Sequence, residues 1–254
     1  MSEAAIARAE GLMAQGRVSE ALGVTQGLVA GPQPSHVALA AHASALKAAG
    51  RLDEALPFNR QAAERFATSP IAWHNLAATL GDLGRAKAAV AACEKAFTLG
   101  LDAPETWSVY ARALQAAGDA AGAERAYRQS LMRAGGAVVV AAELADLIWM
   151  LRGDVAEAES ILDLSFQKGG APSPLLLAKA SLFEASGDAP RATALLDAAS
   201  EQLPQEIAIH LGAAQAALRE GRLDTADGYL RRAEAVDPRS RGVIQTRAIL
   251  DLAA

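Results

Sequence analysis

A chain of 254 residues that is 52% hydrophobic but only 4% aromatic, with a formal charge of -5, is long enough for an extended helical core, and its acidic balance speaks against nucleic acid as a partner. A single cysteine, Cys93, excludes an internal disulfide. No apolar run approaches the roughly 18 to 20 residues of a membrane span, and Met1 to Glu10 carries two acids and no apolar segment, so neither anchor nor leader is expected and the expected location is the cytoplasm.

In chain order the sequence repeats one unit. Gly16, Gly50, Gly84, Gly118, Gly153, Gly187 and Gly221 follow one another at steps of 34, 34, 34, 35, 34 and 34 residues. Five residues after each stands an alanine: Ala21, Ala55, Ala89, Ala123, Ala158, Ala192 and Ala226. Seven residues before it stand Ala9, Ala43, Ala77, Ala111, Ala180 and Ala214, and only the fifth copy differs, with Asp146 at that count and Ala145 one place earlier. The 35-residue step therefore adds its residue between Ala145 and Gly153, with the turn around Leu151 and Arg152 as the expected place.

Each spacing has a mechanical meaning. A glycine can take the left-handed conformation that ends a helix and reverses the chain, so each unit should be two antiparallel helices. The paired alanines let the two backbones approach. The residue four before the glycine, Leu12, Leu46, Leu80, Leu114, Phe183 or Ala217, with Ile148 or Trp149 in the shifted copy, fills the layer between neighbours. Both helices carry apolar residues at helical spacing, so one hairpin cannot bury its faces alone and the hairpins must stack. The expected units are 2–35, 36–69, 70–103, 104–137, 138–172, 173–206 and 207–240, within a single domain 1–254 that ends in a capping helix, 241–252. That helix should pack its Val243, Ile244 and Leu250 side.

Prolines mark most joints between units: Pro32 and Pro34, Pro70, Pro104, Pro172 and Pro174, Pro204, Pro238. The joint after the fourth unit has Gly135-Gly136 instead, which makes it the loosest. Acids or proline open most of the second helices, as the positive helix end favours. Pro57 falls about a turn inside one of them, so that helix should start late or bend at Leu56.

A 34-residue helix-turn-helix unit with small residues at those two places, Trp73 and Trp107 early in the first helix, and Pro204 and Pro238 closing units resembles the tetratricopeptide repeat. The resemblance runs from about Glu3 to Pro238. It implies an all-α, right-handed solenoid whose first helices line a concave groove that takes peptides or helices of other proteins. The first unit lacks the tryptophan and has Arg8 where the family prefers leucine, as suits a capping copy.

Under that geometry, residues ten, nine, six and three before each glycine face the groove. These are Ala40, Ala41, Ser44 and Lys47; His74, Asn75, Ala78 and Gly81; Ser108, Val109, Arg112 and Gln115; Ala142, Glu143, Asp146 and Trp149 after the shift; Leu177, Ala178, Ser181 and Glu184; and Leu211, Gly212, Gln215 and Leu218. The candidate contacts among them are His74, Asn75, Arg112, Glu143, Asp146, Trp149, Ser181 and Gln215. Some family members hold a C-terminal carboxylate with lysines, asparagines and an arginine. Here only Asn75 and Arg112 match, and Ala40 and Ser44 replace the rest, so that clamp is expected to be absent. His74 and Asn75 read as a solvated helix face or as contacts, and Trp149 as an anchor or a repacked core residue.

Catalytic patterns are missing. His36, His42, His74 and His210 begin no metal-ligand spacing, and no nucleophile elbow or phosphate loop occurs. Neither a catalytic residue nor a cofactor nor a metal is expected. Arg231, Arg232, Arg239, Arg241 and Arg247 are interleaved with Asp227, Glu234 and Asp237 and have no aromatic stacking platform, so they read as a solvated end face. Cys93 occupies a place filled by Tyr127, Leu162, Leu196 and Leu230 in other units, and reads as core. The leading function is a non-catalytic adaptor that binds a protein segment, with self-association open. The alternative is the repeat module of a larger enzyme, since the stretch from Leu144 to Met150 followed by Gly153-Asp154 looks like repeat regions that precede bacterial iron/2-oxoglutarate oxygenase domains.

Overall fold

The computed structural model describes residues 2–253, which form fifteen α-helices and, among the described residues, no strand. Seven pairs run in order: α1 (Ser2–Ala14) with α2 (Val18–Val29), α3 (His36–Ala48) with α4 (Leu52–Arg65), α5 (Pro70–Asp82) with α6 (Ala86–Thr98), α7 (Pro104–Ala116) with α8 (Ala120–Ala134), α9 (Val138–Arg152) with α10 (Val155–Gln167), α11 (Pro172–Ala185) with α12 (Ala189–Gln202), and α13 (Ile207–Arg219) with α14 (Leu223–Val236). A last helix, α15, spans Arg241–Ala253. Two compact units make up the chain, Met1–Arg133 and Ala134–Ala254. The division falls just ahead of Gly135-Gly136, the joint that lacks proline.

The turns show why the glycines recur. Gly50 has φ of 74°, and there the Gly50 N–H bonds the Lys47 carbonyl while the Arg51 N–H reaches back to Leu46 at 2.9 Å. This closure satisfies carbonyls that the helix end would otherwise leave bare. The same pair of bonds ends α1, α5, α7, α11 and α13, and in each the carbonyl reached belongs to the layer residue four before the glycine. Only α9 ends differently: the Gly153 N–H bonds the Trp149 carbonyl at 2.8 Å, and no loop precedes the glycine. Leu151 and Arg152 are helical, so the extra residue lengthens α9 to 15 residues, where the other first helices have 13 or 14, and does not enlarge a turn.

All fourteen paired alanines are buried, none more than 3% exposed, with Ala145 filling the fifth slot at 1%. Ile148 is fully buried and Asp146 exposed, which fixes the shifted register of α9. Cys93 is buried in the core of the N-terminal unit with Leu76, Leu80 and Ala89, and burial pushes its thiol up to about 12, as expected of a packing residue. The column nine residues after each turn glycine is wholly buried, but its chemistry changes between the units. It reads Thr25, Asn59, Cys93 and Tyr127 in the first, then Leu162, Leu196 and Leu230. The polar members are bonded across helices: Thr25 to His42 Nδ1 at 2.9 Å, and Asn59 Nδ2 to Thr79 at 2.8 Å.

Two further expectations are corrected in part. Helix α4 begins at Leu52, two residues after its turn glycine like α2, α6 and α14, so Pro57 does not delay it. A proline there removes one N–H, and the neighbouring turns carry the helix through. On α15 the buried residues are Val243, Thr246 and Leu250, while Ile244 is 59% exposed.

Candidate protein-binding face

The candidate residues sit on the first helices, which lie side by side within each unit: α1, α3, α5 and α7 touch in sequence in the first, and α9, α11, α13 and α15 in the second. This close row buries some of the expected contacts. Ser108 and Val109 are each only 8% exposed, and His74 and Asn75 are half-buried. His74 Nδ1 lies 3.0 Å from the Thr106 hydroxyl on α7, so this histidine joins neighbouring repeats and is no solvated face. Burial holds its imidazole below the ordinary range, and the same cause acts on His42.

The open column is the one six residues before the turn glycine, or seven in the shifted fifth copy. Ser44, Arg112, Asp146, Ser181 and Gln215 are exposed, and Ala78 is half-buried. In the N-terminal unit Arg112 lines a cleft of about 190 Å³ with Lys47, Ala78, Gly81 and Asp82. Lys47 is held there by Asp82 at 2.8 Å. In the C-terminal unit Ser181 lines a wider cleft of about 500 Å³ with Glu184, Ala216, Arg219 and Glu220. Arg219 pairs with Glu184 across α11 and α13, so that carboxylate is already partnered within the chain.

On α9, Glu143, Asp146 and Trp149 recur every three residues and so share one side of the helix. Among the described residues no cation pairs with Asp146, and partial burial raises its carboxyl from its ordinary value. Trp149 is half-buried, and its ring lies 3.6 Å from the place a Cβ at Gly153 would take. The ring thus covers the left-handed turn on one side and leaves the rest open. Ile148, one residue away, takes the core place completely.

The arginines near the C-terminal end are mostly engaged. Arg247 bridges Glu234 and Asp227, Arg231 also meets Asp227, and Arg232 lies over Tyr229 and donates to Ser200. Among the described residues no group of three or more histidines, cysteines or acids is placed to hold a metal ion, and no helix is long and apolar enough to cross a membrane.

Comparison with known proteins agrees with this architecture. Tetratricopeptide repeat profiles match residues 71–99, 104–129 and 184–246. Among curated proteins no sequence matches the chain. Similar solved structures include pilF of Pseudomonas aeruginosa, 21% identical over 82% of this chain and 94% of that one, with a TM-score of 0.62. A tetratricopeptide repeat protein of Parabacteroides merdae is 17% identical over 99% of this chain and 98% of its own, with a TM-score of 0.61. Yeast Tom70 is 17% identical over 92% of this chain but only 48% of its own, with a TM-score of 0.64. With its glycine-closed helix pairs, its alanine contacts and these three matches, the chain carries tetratricopeptide repeats, a fold that serves in general as a protein-protein interaction module.

Proposed function

We propose that the chain is a non-catalytic adaptor that binds a segment of another protein along the exposed side of its first helices, and that α9 selects for an apolar side chain next to a basic one. The observation that carries this reading is Asp146: a carboxylate without a cation partner among the described residues, raised by partial burial, three residues from a half-open tryptophan. Its raised value in the folded state means that the ionised form costs stability at neutral pH, a cost that disappears as the pH falls below that value. A bound lysine or arginine would relieve the same cost. The tryptophan supplies apolar area for the neighbouring side chain, and the acidic face speeds encounter with a basic segment.

The test is calorimetric titration with peptides of matched length, apolar-basic against apolar-acidic. Trp149→Ala and Asp146→Asn should each cost the basic peptide about 1–3 kcal/mol of binding while the melting curve keeps its cooperative shape. Affinity should also weaken as the pH falls and Asp146, whose carboxyl is raised by partial burial, takes up its proton, and Asp146→Asn should remove that dependence. Equal affinity for both peptides, or binding that neither substitution changes, would overturn the reading.

A further inference from the structure

Helix α15 stands where the first helix of an eighth repeat would stand. Advancing His210, Ala214 and Leu218 of α13 by 34 residues lands on Ile244, Ala248 and Leu252. On α13, where α14 packs, His210 and Ala214 are 1% and 0% exposed, and Leu218 packs against the cluster that includes Ala226 and Leu230. On α15 the matching side chains are open: Ile244 is 59% exposed, Leu252 is 90% exposed, and Ala248 between them is exposed too. The stripe that receives a helix on α13 is thus apolar and bare on α15, with a small residue at its middle that permits close approach.

The charges on this helix identify the occupant. Arg241 lies in the first turn and Asp251 in the last, each at the end where it opposes the dipole of its own helix. Both would be well placed beside an antiparallel copy of the same helix, whose negative end meets Arg241 and whose positive end meets Asp251. We infer that α15 pairs antiparallel with α15 of a second copy of this chain, with Ala248 against Ala248 and Ile244 against the second copy's Leu252. Such a contact is isologous, so it closes at a dimer. In that pairing Arg241 lies about four residues, or roughly 6 Å along the axis, from the level of the second copy's Asp251, within reach of its long side chain. A parallel pairing would set like charges together. A contact about 20 Å long falls at the small end of stable interfaces, so the dimer is weak and forms with concentration. This surface is separate from the α9 face, and its failure would leave the groove reading untouched.

Sedimentation equilibrium of the 254-residue chain, from about 5 μM to about 0.5 mM, tests the proposal. The average mass should climb from 26.2 kDa toward twice that value. Ala248→Arg should hold it at the monomer mass without shifting the melting temperature, because the residue is exposed in the single chain. Arg241→Asp should weaken the dimer, and adding Asp251→Arg should restore it. Monomer mass throughout, a dimer indifferent to Ala248→Arg, or no restoration by the charge exchange would each overturn the antiparallel α15 pair.

Discussion

Replacing Ile148 with alanine is expected to lower the unfolding free energy by about 2–5 kcal/mol, the range for removing a large aliphatic side chain from a closed core. Trp149→Ala, although it removes far more atoms, should cost clearly less. The ordering follows from the 35-residue step. Because α9 runs to Arg152 and closes directly on Gly153, its layer residue is Ile148, fully buried, and Trp149 is turned to the half-open side. Deleting the isoleucine empties a fully buried place on the helix side that carries Leu144 and Ala145, also buried, whereas the tryptophan ring is half-buried and gives up less enclosed area. Urea denaturation of the two variants checks this. A larger loss for Trp149→Ala would put the tryptophan in the layer and dissolve the argument that it is free to bind.

Deleting residues 241–254 should lower stability by roughly 3–6 kcal/mol as an upper limit, counting about 1.5–3 kcal/mol for each of two buried aliphatic side chains and an unfolded chain that is already partly compact. Val243 and Leu250 are 2% and 5% exposed and belong to one cluster with Ala217, Leu230 and Ala233. Without α15 that cluster would open to water. The bridges from Arg247 to Asp227 and Glu234 add little, because they lie at the surface and share their charge with solvent. The midpoint of chemical denaturation is the readout, and an unchanged midpoint would mean that α15 does not hold the end of the stack.

The hairpin fold was legible because glycine and alanine carry little ambiguity: one supplies a left-handed turn, the other the room for two backbones to meet, and their spacing locates both. The fifth copy was legible for the same reason, since only Ala145 could fill the tight contact. How α9 absorbs the extra residue was not legible, because Leu151 and Arg152 suit a helix as well as a turn. On α15, Val243 and Ile244 cannot face the same side when they are one residue, about 100°, apart. Thr246, three residues after Val243 and four before Leu250, completes the buried stripe, and its polarity hid it. The solvated-face reading of His74 fails for a different reason. Its partner Thr106 lies 32 residues away, and no local pattern marks a bond made between repeats.

The most direct test of the binding face is site-specific photocrosslinking. A photoreactive residue is placed at Ser181 or Gln215, both exposed on the first-helix row, and at Ser160, exposed on α10, and each variant is irradiated with the apolar-basic peptide. Capture from Ser181 and Gln215, lost when Asp146→Asn is added, with none from Ser160, is the expected result. Capture from Ser160 alone would place binding on the second helices and contradict the account.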